Sequence, residues 1–382
     1  MFQDMHYGAR MLATHSCFTC VTVVIVASLV MLFPASRSVV AQTDQIDQYI
    51  QVEMKKRQIP GLSLAVIKNG EVATMKGYGL ANLEHDVPVT PDTVFELASL
   101  TKQFTATAIM LLVEEGKVKL DDPIPEYLPN SPERWKGITV RHLLTHTAGL
   151  PGMGNEFKSL SQGAELTNYT TAQMFEAATK DPIRFAPGES FQYSDAGYFL
   201  LGMIIEKASG RRYRDFLTDR FFKPLGMTSS SVLDQEAILK HRAAGYTLMD
   251  GQLVNIRRVA QMELPSHYGV FSSVRDMAKW DQALAAGKVV KESSLTAMWT
   301  SAKLNSGSSR GIGFGWFLST RAGHRTITHE GITGTEYTRY PDDKLTVIVL
   351  TNLGARNSPE EVNAWGLARG VAGRIIPELL PR

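Results

Sequence analysis

The pattern of apolar and polar positions predicts a β-hairpin near the start of the globular part of the chain. Two runs rich in apolar and β-branched residues, 62–68 and 71–79, flank Asn69-Gly70. An Asn-Gly pair between two such runs favours a two-residue hairpin turn. An amphipathic helical pattern from Gln45 to Arg57 precedes the hairpin and ends at Pro60-Gly61.

Helical patterns fill the middle of the chain, and strand patterns return near the C-terminus. Most of 116–287 combines helical stretches with loops that contain Pro and Gly. Strands at both ends with helices between them imply one antiparallel sheet built from the two termini, with a helical lobe inserted in it. An active site is expected in the cleft between the lobes. Helices are predicted from about Ala98 to Glu115, from Asp195 to Gly210 and from about Glu360 to Ala372, and late strands at 313–320, 324–331, 335–340 and 345–352.

The N-terminal segment differs from the rest of the chain. Arg10 precedes a nearly uncharged run, Cys17–Phe33, and a stretch of small residues ends at Ala41. This pattern is typical of a secretory signal peptide that is cleaved near Ala41. The alternative is an uncleaved anchor, because the run is close to the lower length limit of a spanning helix. Either interpretation predicts an exported protein, periplasmic or secreted, with 1–41 as signal peptide or anchor and 42–382 as the globular domain.

Composition narrows the classes of partner. The 382 residues are 44% hydrophobic and 20% charged, and the formal net charge is +2. Nothing in this balance indicates a nucleic acid or an anionic membrane surface as partner. Both cysteines, Cys17 and Cys20, lie in the N-terminal apolar run, so the mature domain is predicted to have no disulfide and no thiolate nucleophile or metal ligand.

Ser99-Leu100-Thr101-Lys102 is the first candidate for chemistry. Residues three apart lie on the same helix face, so the Lys102 ammonium can reach the Ser99 hydroxyl. A serine at a helix start also lies near free backbone N–H groups and the positive end of the helix dipole. These features suit a nucleophile whose lysine neighbour acts as a base. The alternative is that Ser99 only caps the helix.

Tyr193-Ser194-Asp195 is the second candidate. In a catalytic role Tyr193 would be a proton shuttle, and because a phenol titrates near 10 unless a neighbouring cation lowers its pKa, this role needs a lysine such as Lys102 nearby. The alternative makes Tyr193 a core aromatic and Asp195 the N-cap of the following helix.

His329-Glu330-Gly331 is the third candidate, on a late predicted strand. At a cleft edge, His329 would donate a hydrogen bond to a substrate carboxylate or carbonyl. The alternative is a surface histidine whose hydrogen bonds are already satisfied.

Other patterns fail a structural requirement. The segment 307–311 matches the G-x-S-x-G string, but that motif needs a strand before it and a helix after it. Here a polar loop precedes the segment and a β-like run follows. His142 and His146 have the i,i+4 spacing of HExxH, but Leu143 replaces the glutamate, and the string that begins at His329 lacks the second histidine. No metal site is predicted.

The three motifs, in this order, resemble the serine β-lactamase and DD-peptidase superfamily. Its signature is Ser-x-x-Lys early, Tyr-x-(Asn/Asp) in mid-chain and (Lys/His)-x-Gly late on a strand. The branch of class C β-lactamases, D-aminopeptidases and family VIII esterases is the most similar. The resemblance runs from about Ile46 to the C-terminus. The chain also shares with this branch the strings LLTHTAGLP, FAPGESFQYSDAGYFLLG, PLGMTSS, YGVFSSVRDMAKW and GFGW.

The resemblance implies a fold and a set of roles. The fold is α/β (α+β) and β-lactamase/transpeptidase-like: an antiparallel sheet flanked by helices, plus an inserted all-helical lobe. Ser99 would be the acylated nucleophile, and Lys102 and Tyr193 would share the proton transfers, without either being assigned as the acylation base. The backbone N–H groups of Ser99 and Ile332 would form the oxyanion hole. The α/β lobe would span about 44–115 and 288–382, and the helical lobe about 116–287. The predicted substrate-binding residues are Asp195, His329, Gly331 and Ile332.

Two departures from the family pattern concern the substrate. Asp195 stands where most β-lactamases of this kind have Asn, and an ionised Asp only accepts hydrogen bonds and adds negative charge beside Lys102. His329 stands where β-lactamases usually have Lys, and a mostly neutral imidazole is a poorer partner for a carboxylate. Both changes favour an esterase or a DD-peptidase-like enzyme over a dedicated β-lactamase.

We therefore predict a serine hydrolase that cleaves an ester or amide through an acyl-enzyme on Ser99. The substrate would be a small acyl ester, a D-amino-acid peptide or a β-lactam, with no cofactor, no metal and no nucleic acid. A membrane is a partner only if the N-terminal segment is retained as an anchor. The alternative is a penicillin-binding sensor or a non-turnover binding domain of the same fold. A sensor would need a membrane connection to an intracellular signalling domain, for which the segment before the apolar run is too short, and the intact Ser99, Lys102 and Tyr193 disfavour a non-turnover domain.

Overall fold

The computed structural model describes residues 34–151, 168–234, 236–256, 261–355 and 363–380. The chain divides into two compact units, 1–48 and 49–382. The described part of the first unit is the beginning of helix α1 (Pro34–Arg57), which starts before the predicted Gln45 and ends at Arg57 as predicted. No helix among the described residues is long and apolar enough to cross a membrane, and the apolar run predicted as signal peptide or anchor lies outside them.

The second unit is built on an antiparallel sheet. The strands are β1 (Gly61–Lys68), β2 (Glu71–Asn82), β3 (Val87–Pro88), β4 (Phe95–Glu96), β5 (Asn168–Tyr169), β6 (Ser231–Val232), β7 (Tyr246–Met249), β8 (Gln252–Asn255), β9 (Gln261–Met262), β10 (Val270–Ser272), β11 (Phe317–Arg321), β12 (His324–Gly331), β13 (Thr335–Tyr340) and β14 (Leu345–Thr351). Seven of them form the main sheet in the order β11-β12-β13-β14-β1-β2-β3. The pairing of β1 with β14, in which Leu64 is opposite Val349, joins the two ends of the chain. It confirms the predicted sheet.

Helices pack on this sheet, and most of them lie between its N-terminal and C-terminal strands in the sequence. All seven residues of β14 are buried, as expected of a strand covered on both faces. The helices that pack against it are α7 and α9. The helices after α1 are α2 (Thr101–Glu114), α3 (Val140–Leu144), α4 (Thr171–Lys180), α5 (Asp195–Ser209), α6 (Tyr213–Leu217), α7 (Val274–Ala285), α8 (Glu292–Met298) and α9 (Leu367–Ala372).

The predicted hairpin is present. Asn69 and Gly70 both have positive φ, 53° and 82°, which is the requirement of a two-residue type I′ turn. Lys68 pairs with Glu71 across this turn. The turn therefore sets the pairing next to it, and the register shifts by a bulge between Val66 and Ile67 further along the two strands.

Several further features differ from the sequence analysis. The strand predicted from 313 begins only at Phe317, because Gly315 has φ 79° and packs closely on the backbone of α2. The last helix begins at Leu367, after Gly366 with φ 88°; 363–366 form a turn, and 360–362 lie outside the described residues. The middle of the chain also contains the short strands β5 to β10. The limits of the two predicted lobes stay predictions.

Candidate active site

Ser99 lies in a 3-10 turn, Ala98–Leu100, that leads into α2. Ala98 has φ 47°, a left-handed conformation that costs a residue with a Cβ atom about 1 kcal/mol. Two hydrogen bonds of 2.9 Å hold the turn: the Leu97 N–H donates to the Val270 carbonyl, and the Val270 N–H donates to Thr101 Oγ1. The turn therefore presents Ser99 at the start of a helix, as the sequence predicts.

Lys102 lies in the first turn of α2, and its side chain is completely buried. Its ammonium donates to Ser99 Oγ at 3.2 Å, to Asp195 Oδ1 at 2.6 Å and to the His267 carbonyl oxygen at 2.9 Å. These three acceptors match the three protons of an ammonium group. Burial lowers the pKa of Lys102, whereas the charge and hydrogen bond of Asp195 act to raise it.

Asp195 is the first residue of α5 and faces Lys102. The N-cap of this helix is Ser194, whose Oγ accepts from the Gly197 N–H at 3.1 Å. The alternative in which Asp195 itself caps the helix is therefore wrong. Burial acts to raise the pKa of Asp195, but the charge and hydrogen bond of Lys102 hold it below its ordinary value. Asp195 is thus an ionised acceptor.

Tyr193 completes the helix side of the site. Lys102 Nζ lies 4.8 Å from the centre of its ring, and His146 stacks on the ring with centroids 4.5 Å apart. Burial raises the pKa of Tyr193 well above its ordinary value, and the charge of Asp195 raises it further, while a hydrogen bond with Ser99 acts in the opposite direction. This direction is the reverse of the lowering by Lys102 considered from the sequence. Tyr193 is a protonated phenol.

His329 lies on β12, and only 2% of it is exposed, so the alternative of a surface histidine is wrong. Its ring is 5.2 Å from that of Phe317 and 6.2 Å from that of Tyr193. Its Nδ1 lies 2.9 Å from the backbone nitrogen of Glu330. Burial, followed by the charge of Lys102, lowers the pKa of His329 to about 3. The imidazole is therefore neutral at neutral pH.

Gly331 ends β12 against the backbone that precedes Ser99. A Cβ atom at this position would lie 2.4 Å from the Leu97 carbonyl oxygen, so the close approach requires glycine. The hydroxyl of Thr335 donates to the same carbonyl at 3.0 Å. These contacts bring the turn that contains Ile332 close to Ser99, as an oxyanion hole formed by their N–H groups requires.

Two histidines of the site were missed by the sequence analysis. His146, considered there only as a metal ligand, accepts from the Ser194 N–H at 3.0 Å. Burial lowers its pKa well below the ordinary value, and the charge of Lys102 adds to this effect. Its signal was the string LLTHTAGLP, 143–151. His267 contributes its backbone carbonyl, which accepts from Lys102. Every residue has this group, so the sequence pattern could not indicate it.

The rejected motifs lie in other surroundings. The segment 307–311 lies in a loop and is followed by β11 rather than a helix, so it lacks the geometry of a nucleophile elbow. His142 Nδ1 lies 3.1 Å from Thr139 Oγ1, separate from the partners of His146. Across the described ranges, no group of three or more His, Cys, Asp or Glu side chains could hold a metal ion.

Comparison with known proteins places this site in a family. The family model described as Beta-lactamase matches residues 46–372, which is most of the chain. The chain belongs to the Beta-lactamase family. The match includes all seven predicted site residues, from Ser99 to Ile332, and agrees with the resemblance seen in the motifs.

Two curated relatives show the extent of the similarity. This Beta-lactamase family member is 33% identical over 316 residues to Penicillin-binding protein 4* of Bacillus subtilis (strain 168), covering 78% of this chain and 69% of that protein. It is 34% identical over 242 residues to Protein flp of Staphylococcus aureus (strain COL), covering 62% of this chain and 47% of that protein. The chain therefore spans about half the length of Protein flp.

Solved structures confirm the predicted β-lactamase/transpeptidase-like fold. The octameric penicillin-binding protein homologue from Pyrococcus abyssi has a TM-score of 0.73 at 32% identity, covering 86% of this chain and 77% of that chain. The D-amino acid amidase from Ochrobactrum anthropi SV3, in complex with L-phenylalanine, has a TM-score of 0.74 at 27% identity, covering 88% and 98%. The superfamily named from the motifs is thus confirmed.

Proposed function

We propose that this protein is a serine hydrolase that cleaves an ester or amide through an acyl-enzyme on Ser99. The observation that carries the proposal is the 3.2 Å contact between Nζ of the fully buried Lys102 and Ser99 Oγ. A lysine whose pKa is lowered by burial can take the proton of the serine beside it. A serine that only capped a helix would not need this buried lysine.

The two possible bases differ in their electrostatics. Burial lowers the pKa of Lys102 and raises that of Tyr193, and the charge of Asp195 raises both. At neutral pH the neutral amine of Lys102 is therefore more easily populated than the phenolate of Tyr193. In the proposed scheme Lys102 takes the Ser99 proton, and the protonated Tyr193 phenol donates to the leaving group.

These groups account for every proton and bond in the proposed acyl transfer. Ser99 Oγ attacks the substrate carbonyl, its proton goes to Lys102, and the carbonyl oxygen becomes an oxyanion held by the N–H groups of Ser99 and Ile332. Collapse breaks the bond to the leaving group, which takes a proton from Tyr193, and Lys102 can restore that proton. Water then attacks the acyl-Ser99 ester by the reverse sequence and releases the acid.

The proposed substrates are small acyl esters and D-amino-acid peptides, with β-lactams turned over more slowly. The neutral, buried His329 stands where a β-lactamase usually has a cation, and a neutral imidazole pairs weakly with a carboxylate. The ionised Asp195 adds negative charge to the same pocket. Two similar proteins named above, a penicillin-binding protein and a D-amino acid amidase, support acyl chemistry of this kind.

The test is a panel of p-nitrophenyl butyrate, a D-Ala-D-Ala peptide and nitrocefin, with intact-mass detection of the acyl-enzyme. We expect Ser99→Ala to abolish both turnover and the adduct. Ser309→Ala is the matched control, because Ser309 occupies the serine position of the rejected G-x-S-x-G string; it should behave as wild type. Activity that survives Ser99→Ala contradicts the mechanism. A stable adduct without turnover on all three substrates would instead indicate the binding-domain alternative.

We also propose that the protein is exported to the periplasm or secreted. The support is the apolar run Cys17–Phe33 followed by small residues up to Ala41. Expression of the full chain, cell fractionation and N-terminal sequencing test this proposal. A mature N-terminus near residue 42 indicates cleavage, an intact membrane-bound chain indicates an anchor, and an intact cytoplasmic chain contradicts export.

A further inference from the structure

The peptide unit that joins Gly331 to Ile332 is held through its carbonyl group. The indole N–H of Trp365 and the backbone N–H of Gly334 both donate to the Gly331 oxygen, each at 2.9 Å. In a trans peptide the C=O and the following N–H lie in one plane and point in opposite directions, and the described chain has no cis peptide bond. Donors that fix the Gly331 carbonyl therefore also fix the direction of the Ile332 N–H.

Hydrogen bonds hold the backbone at Trp365 and just after it. Its carbonyl accepts from Arg57 Nη1 at 2.7 Å. The N–H of Gly366 and that of Ala368, the latter at 2.7 Å, donate to the carboxylate of Glu336, which lies on β13 and is only 2% exposed. These contacts hold the indole against the end of β12, next to the turn that contains Ile332. The contact with Glu336 comes from β13, the strand beside β12 in the same sheet.

We propose that Trp365 is a positioning residue for the oxyanion hole. Its N–H orients the Gly331–Ile332 peptide, and by polarising the carbonyl it makes the Ile332 N–H of the same unit a stronger donor. A developing negative charge on the substrate oxygen benefits from this more than the neutral substrate does. The inference rests on the proposed function, because the oxyanion role of Ile332 belongs to it.

The test removes the indole N–H and keeps an aromatic ring. For Trp365→Phe we expect kcat on p-nitrophenyl butyrate to fall about fivefold to tenfold with KM changed by less than about twofold, the signature of a contact used in the transition state. Butylboronic acid, whose tetrahedral serine adduct mimics that state, should bind more weakly by a similar factor. Trp299→Phe is the matched control, because among the described residues Trp299 Nε1 has no hydrogen-bond partner; it should match wild type.

Two further measurements distinguish loss of the indole N–H from misfolding, and failure of this inference from failure of the proposed function. Replacing Trp365 with 3-benzothienylalanine keeps the bicyclic shape and removes only the N–H, should Trp365→Phe fail to fold. In the full chain labelled with 15N-isoleucine, the Ile332 amide proton should move upfield in both Trp365 variants and stay in place in Trp299→Phe. Unchanged kcat, boronate affinity and Ile332 signal in a folded variant overturn the inference. Ester hydrolysis that survives Ser99→Ala overturns the proposed function, and the Ile332 signal then decides the positioning alone.

Discussion

The two sides of the site differ in charge. On the helix side, α2 and α5 bring a buried cation and a carboxylate together, with Lys102 2.6 Å from Asp195. On the strand side, β12 carries a neutral imidazole, His329, and a peptide unit fixed by neutral donors. Proton transfer needs groups whose charge can change, whereas an oxyanion is stabilised by preorganised dipoles whose charge does not change. This difference matches the separate tasks that the proposed mechanism gives to the two sides.

The largest effect is expected from removing the cation on the helix side. Lys102→Met keeps an unbranched side chain but removes the proposed base, so kcat/KM on the best ester should fall about 10³-fold. The partly buried Asp195 carboxylate then lacks its partner, so thermal stability should fall as well. Lys76→Met is the control, because Lys76 also lies over a tyrosine ring, 5.5 Å from the centre of Tyr78. A loss of less than tenfold in Lys102→Met would show that another group is the base.

A smaller loss is expected from displacing the strand side. In Gly331→Ala the new Cβ would lie 2.4 Å from the Leu97 oxygen, so the strand end must move away from the nucleophile turn. Loss of one oxyanion donor costs about 10²-fold in kcat, and we expect a loss of this order. Gly137→Ala is the control, because within the described part of the chain its Cβ would meet only Pro187 Cγ, at 3.7 Å. Wild-type kcat in a folded Gly331→Ala would remove Ile332 from the mechanism.

The sequence predicted one side of this comparison better than the other. Ser99 and Lys102 are three residues apart on one helix, so local periodicity was enough to pair them, and Asn69-Gly70 placed the hairpin in the same way. The Gly331–Trp365 contact joins residues 34 apart in sequence. The oxygen of His267 that accepts the hydrogen bond from Lys102 is a backbone atom. Both depend on tertiary packing. The direction of the Tyr193 pKa shift likewise depends on burial, which its triplet does not encode.

Neutralising the helix-side carboxylate should change activity moderately, and should raise nitrocefin turnover rather than lower it. The charge of Asp195 acts to raise the pKa of Lys102, so Asp195→Asn should lower that pKa and populate the free amine at lower pH. The ascending limb of the pH profile of kcat/KM should therefore move to lower pH, and nitrocefin turnover should rise severalfold. Asp121→Asn, which breaks an exposed ion pair with Arg141, should leave the profile unchanged. An unchanged or lower nitrocefin rate in Asp195→Asn contradicts this account.

The smallest effect is expected from replacing the strand-side imidazole with another neutral group. Because the pKa of His329 is about 3, it carries no charge at neutral pH, and His329→Gln should leave the shape of the profile between about pH 5 and 9 unchanged. His85→Gln, at an exposed position in the turn between β2 and β3, is the control for losing a histidine. A limb in this range that His329→Gln removes and His85→Gln preserves would show that His329 titrates there. The strand side would then be charged below that limb, and the contrast between the two halves would hold only at higher pH.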